Sequence, residues 1–252
     1  MATAILSALA QEQQGLLSQL RDVRQVRRAG REFRLGNLHG QPVVLGLSRI
    51  GKVAAATTAT VLIEAFSVER IVFTGVAGAL GAPVQVGDLV VATEFVQHDM
   101  DASPLFPRFE IPLYQKSRFA CDAELTALLA TACRATLIAM GDGMVGTPPA
   151  ARPTLHQGLI TSGDRFVSTA QASTALLLRL GEAGMAPLAV EMEGAAVAQV
   201  CHDYRVPFAA VRTISDRADE QAPTDFQHFV THVASAYALG IVDRLMRSLQ
   251  LT

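Results

Sequence analysis

Apolar runs short enough for β-strands alternate, along nearly the whole chain, with longer stretches whose apolar residues recur at helical spacing. TAILSAL (3–9) precedes EQQGLLSQL, and REFRLGNLHG and QPVVLGLS read as a hairpin joined through His39 and Gly40. GKVAAATTATVLIEAF (51–66) has the spacing of a helix, and RIVFTGVAGAL (70–80) that of a buried strand ending in a glycine turn. Further strands are expected at 87–99, 158–167, 187–192 and 207–215, and further helices at 122–137, 174–184, about 193–203 and about 225–249. Parallel strands need long crossovers, usually helical, so this order predicts an α/β protein. The expected architecture is a single three-layer α/β/α domain over residues 1–252 with a central mixed sheet. Proline-bearing segments at 103–114 and 147–153 read as surface loops, not domain boundaries.

Composition narrows the class of partner. Of 252 residues half are apolar, enough for a sizeable core, and 21 basic against 23 acidic residues give a net charge of −2. The basic run RDVRQVRRAGR (21–31) is too short to argue for nucleic acid, and a small molecule is the expected partner. Cys121, Cys133 and Cys201 are odd in number and widely spaced, which suggests reduced core thiols, a cytoplasmic location and no zinc site. MATAILSALAQEQQ lacks a basic n-region and is too short in its apolar part to span a membrane; it reads as the first strand.

Two nucleotide signatures nearly match. GLSRIGK (46–52) has phosphate-loop spacing, but Val53 follows where a hydroxyl would ligate magnesium. TGVAGALG (74–81) follows a strand, but Ala77 stands where a second dinucleotide-binding glycine would be needed. Both remain glycine turns at strand ends, where open sheets bind ligands. His98, Asp99 and Asp101 in QHDMD read as a polar network at a strand end, not as a metal site.

VRTISDRAD (211–219) carries the sharpest chemical signal. A buried strand delivers Arg212, then Ser215 and Asp216, at its carboxyl end; Ser215 can orient the Asp216 carboxyl, and burial raises its pKa toward a usable acid. The alternative is that Ser215 and Asp216 cap the next helix. Glu191 and Glu193, on either side of Met192 in LAVEMEGAAVAQVC, form a second acidic cluster at the mouth of a buried element.

LSALAQEQQGLL, RIGKVAAA, FTGVAGAL, VGDLVVATEFVQHDMD, SGDRFV, AVEMEGAAVAQVC and PFAAVRTISDRAD occur in order across residues 3–226. Together they resemble the nucleoside phosphorylase and hydrolase superfamily, and most closely its 5′-methylthioadenosine/S-adenosylhomocysteine nucleosidases. That resemblance implies a cofactor-free, metal-free homodimeric hydrolase acting on a purine nucleoside. Asp216 would protonate the departing base and Glu12, from the loop after the first strand, would deprotonate water positioned by Arg212. Glu193 would accept hydrogen bonds from the ribose hydroxyls, with Glu191 in support and Met192 packed on the sugar. Phe166 would stack on the purine and Val167 would meet its edge.

The sequence departs from the family pattern at three places. Val76 stands where these nucleosidases usually carry serine, which disfavours phosphate as nucleophile because a buried anion needs donors. Leu105, Phe106, Phe109 and Ile111, in the segment 102–115 that in relatives helps to enclose the 5′ substituent across a dimer interface, are expected to do so here with Ile50 and Phe226, or to form a plain interface. The stretch 141–157 is longer than relatives usually carry and is expected to be a surface loop.

Overall fold

The computed structural model describes residues 2–81, 83–141 and 152–250. Its elements are, in order, β1 (Thr3–Ser7), α1 (Ala10–Gln19), β2 (Arg21–Arg28), β3 (Arg31–Leu38), β4 (Gln41–Leu47), α2 (Lys52–Phe66), β5 (Arg70–Ala79), β6 (Leu89–Gln97), β7 (Arg118–Ala120), α3 (Ala123–Met140), β8 (Leu155–Ser162), α4 (Ala170–Glu182), β9 (Ala189–Glu191), α5 (Gly194–Tyr204), β10 (Phe208–Asp216), α6 (Ala222–His232) and α7 (Ala234–Leu249). The mixed α/β architecture is the one expected.

β1 lies between β4 and β5 and is parallel to both, and β10 runs parallel to β5 on its other side. β6, β8 and β9 are mutually parallel in that order, while β6 is antiparallel to β10 and β9 antiparallel to β5. Five strands therefore close a circuit, β5–β9–β8–β6–β10–β5, and β4, β3 and β2 extend from it as an antiparallel ribbon. Register shifts in β6 between Ala92 and Glu94, and in β10 between Ile214 and Asp216, supply the local bends that such curling requires.

The buried faces form two main clusters. One joins Ala55, Ala59 and Leu62 of α2 and Val197 and Cys201 of α5 to Ile71 and Phe73 of the sheet. The other joins Leu16 of α1, Leu129 and Cys133 of α3, and Tyr237, Ile241 and Leu245 of α7 to Val72, Val91 and Val211. α3 is long and apolar enough to cross a membrane, but Leu125, Leu129 and Cys133 on one face are buried with α7, as in a core helix. The three thiols are unpaired, and burial raises the Cys121 thiol to about 12 and the other two higher, so none is a nucleophile near neutrality.

The structure adds detail to the sequence reading and changes some expectations. The run 21–31 is largely β2, an edge strand whose charged side chains suit an exposed edge. The closing helix is two helices broken at Val233, where φ is −122°, so that Phe229 and Tyr237 can stack with centroids 6.3 Å apart. Gly75 and Gly78 lie inside β5, not in a turn after it, and only Gly81, with φ 81°, fits the expected turn. Of the loop expected at 141–157, residues 142–151 lie outside the described residues, and Leu155–Gln157 open β8 instead.

Candidate active site

A cavity of about 530 Å³ opens where the ends of β1, β4, β5, β9 and β10 converge with the loop after β8. Glu12, Ile50, Val76, Phe166, Val167, Met192, Glu193, Arg212, Ser215, Asp216 and Phe226, drawn from distant parts of the chain, all line it. The topology thus gathers these eleven expected residues on one surface, though not the apolar residues of the segment 102–115. Among the described residues no group of three or more His, Cys, Asp or Glu is disposed to hold a metal.

Glu12 is not in a loop: it is in the first turn of α1. Its Oε2 accepts the amides of Ala8 and Leu9, each at 2.8 Å, and its Oε1 accepts the Val76 amide at 3.2 Å. The Leu9 contact is the N3-to-N-cap half of a capping box, the only half a leucine N-cap allows, so starting the helix and aiming the carboxylate are one event. Burial raises the Glu12 pKa, against the three amides and the charge of Arg212, which favour the ionised form. The result is a fixed carboxyl group able to take up a proton. Val76 therefore contributes through its backbone, which does not depend on the missing hydroxyl.

Arg212 is 1 % exposed, and each nitrogen of its guanidinium donates a hydrogen bond. Nη2 and Nε donate to Glu191 Oε2 at 2.8 and 3.3 Å, Nη1 donates to the Phe73 and Val211 carbonyls, and the group lies 4.0 Å from the Phe73 ring centroid. A Cβ on Gly75 would lie 3.2 Å from Glu12 Oε1 and 3.5 Å from Arg212 Nη1, so glycine lets both approach the same spot. Glu191 also accepts from the Ser162 hydroxyl and the Gly194 amide, which makes it a buried hub for Arg212 and the start of α5.

Glu193 is the N-cap residue of α5, and its Oε1 accepts the Gly51 amide at 2.8 Å. Burial, and then repulsion from Glu191, raise its pKa. An ionised Glu193 is therefore poised to gain from any positive charge or hydroxyl donor brought into the cavity.

Asp216 is 2 % exposed. The pairing of β10 with β5 runs Thr213 to Val76 and Ile214 to Ala77, and then skips Ser215 to place Asp216 opposite Gly78. This bulge turns Asp216 toward the cavity at the strand end. Ser215 Oγ donates to Asp216 Oδ2 at 2.8 Å, and the Ala218 amide donates to Oδ1 at 2.9 Å. α6 begins only at Ala222, so Asp216 is not its cap. Burial raises its pKa, the Ala218 amide and Ser215 hydroxyl partly offsetting this, while Asp225 and Asp219 reinforce it. A Cβ on Gly78 would lie 2.8 Å from Asp216 Oδ1. Gly78→Ala is expected to displace the acid and lower kcat about 10²-fold while leaving the protein folded, as read by steady-state kinetics and circular dichroism.

The remaining walls are apolar. Phe166 and Phe226 meet edge to face with centroids 5.7 Å apart, and Ile50, 58 % exposed, stands at the rim. Leu105, Phe106, Phe109 and Ile111 do not line the cavity of this chain. Phe109 and Ile111 are buried in the core, and Leu105 is 84 % exposed and faces away from it. Pro223 and Gln227 of α6, and Arg165 and Leu9, also line the cavity and were missed. Arg165 and Leu9 left a trace in sequence only as members of SGDRF and LSALAQEQQGLL.

The chain is similar to known proteins along nearly its whole length. The profile of the phosphorylase superfamily matches residues 2–247. The 5′-methylthioadenosine/S-adenosylhomocysteine nucleosidase of Shewanella denitrificans is 33% identical over 96% of this chain and 97% of its own. The structure of the Neisseria meningitidis nucleosidase of the same name, in complex with methylthio-immucillin-A, superposes with a TM-score of 0.85 at 33% identity, covering 98% of this chain and 99% of that one. Futalosine hydrolase of Helicobacter pylori superposes with a TM-score of 0.84 at 31% identity and 98% coverage of both chains. The chain belongs to the phosphorylase superfamily and, within it, to the family of 5′-methylthioadenosine/S-adenosylhomocysteine nucleosidases.

Proposed function

We propose that this protein hydrolyses the N-glycosidic bond of 5′-methylthioadenosine, S-adenosylhomocysteine or both and releases adenine. The observation that carries this reading is that a buried acid with raised pKa, Asp216, and an amide-held carboxyl group, Glu12, line one cavity with Glu193. Cleavage leaves positive charge on the ribose and negative charge on the purine. Asp216 gives its proton to the base at N7 as the bond from C1′ to N9 breaks, so a neutral adenine departs. Water forms the new bond to C1′ and its proton passes to Glu12. Glu193 accepts the ribose hydroxyls and stabilises the cationic sugar, while Met192 packs on the ribose face and Phe166 and Val167 hold the purine. Arg212, tied to Glu191, acts on the water and on Glu12 through its charge.

Water is the nucleophile in this reading. Val76 presents only an amide, and that amide is already given to Glu12, so a phosphate would find no donor there. Adenine release is expected to proceed at the same rate with and without phosphate; a strict phosphate requirement would make the protein a phosphorylase. The likeness to futalosine hydrolase supports a second reading, a nucleosidase for a differently 5′-substituted purine nucleoside, and adding futalosine to the same assay separates the two. A nucleoside-binding sensor is disfavoured because binding alone needs no acid and base together. We further propose a cytoplasmic homodimer serving methionine salvage. The exposed Leu105 and Leu113, 84 % and 87 %, and the open rim at Ile50 support burial against a second copy.

A further inference from the structure

Outside the cavity wall, three charged side chains from three separate segments close a ring. Lys52 Nζ donates to Asp99 Oδ1 at 2.5 Å and to Gln97 Oε1 at 3.0 Å. Asp99 Oδ2 accepts the amide of Asp164 at 2.9 Å, and Asp164 Oδ1 accepts the amide of Lys52 at 2.7 Å. The circuit returns to the residue from which it began, joining the start of α2, the end of β6 and the loop after β8. The Lys52 and Asp99 side chains are only 15 % and 32 % exposed.

The residue before Lys52 is Gly51, whose amide reaches Glu193. Its φ of 95° is one that glycine adopts freely and does not by itself hold. Two consecutive amides are thus gripped by two carboxylates, Gly51 by Glu193 inside the cavity and Lys52 by Asp164 outside it. Among the described residues the Gly51 amide is the sole hydrogen-bond donor to the Glu193 carboxyl, so whatever fixes Gly51 fixes one oxygen of Glu193 and leaves the other for a ligand.

We propose that the ring of Lys52, Asp99 and Asp164 is a positioning device for Glu193, setting the carboxylate that reads the ribose hydroxyls. None of the three residues lines the cavity. The ring's ion pair is partly exposed and is expected to add only modestly to stability, but a displacement of about 1 Å at a reacting centre is enough to lower turnover strongly.

This inference rests on the assignment of Glu193 to the sugar, and its test keeps the two apart. Lys52→Met, Asp99→Asn and Lys52→Arg are compared with the wild type on 5′-methylthioadenosine and on its 3′-deoxy analogue, with melting temperatures measured alongside. The first two variants are expected to lose about tenfold in kcat/KM on the parent nucleoside and far less on the analogue, so that the preference for the 3′ hydroxyl shrinks. Lys52→Arg, which keeps the cation, is expected to retain most of that preference. Equal losses on both nucleosides, or an unchanged preference, overturn the positioning role. If Lys52→Met does not fold, the isosteric Asp99→Asn decides the matter alone. A wild type that cleaves both nucleosides without preference removes the sugar assignment and this inference together, and one that cleaves neither removes the functional reading as well.

Discussion

Asp216→Asn will lower kcat for adenine release by about 10²–10⁴ while changing KM by less than about threefold. Asparagine has nearly the shape of aspartic acid and still offers an oxygen to the Ser215 hydroxyl or the Ala218 amide, the two groups that orient position 216. What it cannot do is surrender a proton to N7, so the purine must leave as an anion. The raised pKa fixes the sign of the pH dependence. Only the protonated acid works, so wild-type kcat declines on the alkaline side as the pH passes through the raised pKa of Asp216, while protonation of Glu12 and Glu193, whose pKa values are also raised, limits it on the acid side. The residual activity of the asparagine variant should lose that alkaline limb. The measurement is spectrophotometric adenine release across pH, with inhibitor or substrate-analogue binding by calorimetry; full activity in the variant would remove Asp216 as proton donor.

The alternation of strand and helix was legible because burying a parallel sheet on both faces forces continuous apolar strands, and these stand out between helices with polar faces. What escaped was decided by contacts between elements distant in sequence. β2 has Val23 and Val26 among arginines, no more than a charged loop would show, and becomes a strand because β3 offers it an edge. The break at Val233 brings Phe229 and Tyr237 together, and nothing around Val233 in the sequence signals it. In the site, the residue types and their positions near strand ends were readable, and the bond from Ser215 to Asp216 is local enough to anticipate. The amides that hold Glu12 and Glu193 were not, because a backbone N–H leaves no mark in residue identity. Gly51 and Gly78 were visible only as glycines in near-motifs. Their purpose appears once Asp216 Oδ1 is found 2.8 Å from where a Gly78 Cβ would be, and Glu193 within reach of the Gly51 amide.

Glu193→Gln will separate activity from stability, moving them in opposite directions. Glutamine keeps an oxygen for the Gly51 amide and loses the charge that steadies a cationic sugar, so kcat should fall about 10²–10³-fold. The folded protein raises the pKa of Glu193 above its unfolded value, first through burial and then through the nearby Glu191. The folded state therefore binds more protons than the unfolded state over the interval between those values. Stability from this group is fully present below the unfolded pKa of about 4.3 and is lost as the pH rises through the folded one. Glutamine does not titrate, so the variant escapes that loss. Each unit of pKa elevation is worth about 1.4 kcal/mol, and about 1 kcal/mol moves the melting temperature of a chain this size by roughly 2–4 °C. For each unit of elevation the variant should melt roughly 3–6 °C above the wild type near pH 8.5, and it should melt close to it near pH 5. Glu12 and Asp216 are raised in the same direction and weaken both proteins at alkaline pH, so the difference between the two melting curves reports Glu193 together with its repulsion from Glu191 and Glu12. A variant less stable than wild type at every pH would mean that the charge on Glu193 is paired within the folded protein, which would leave it unsuited to stabilising a cation delivered by the substrate.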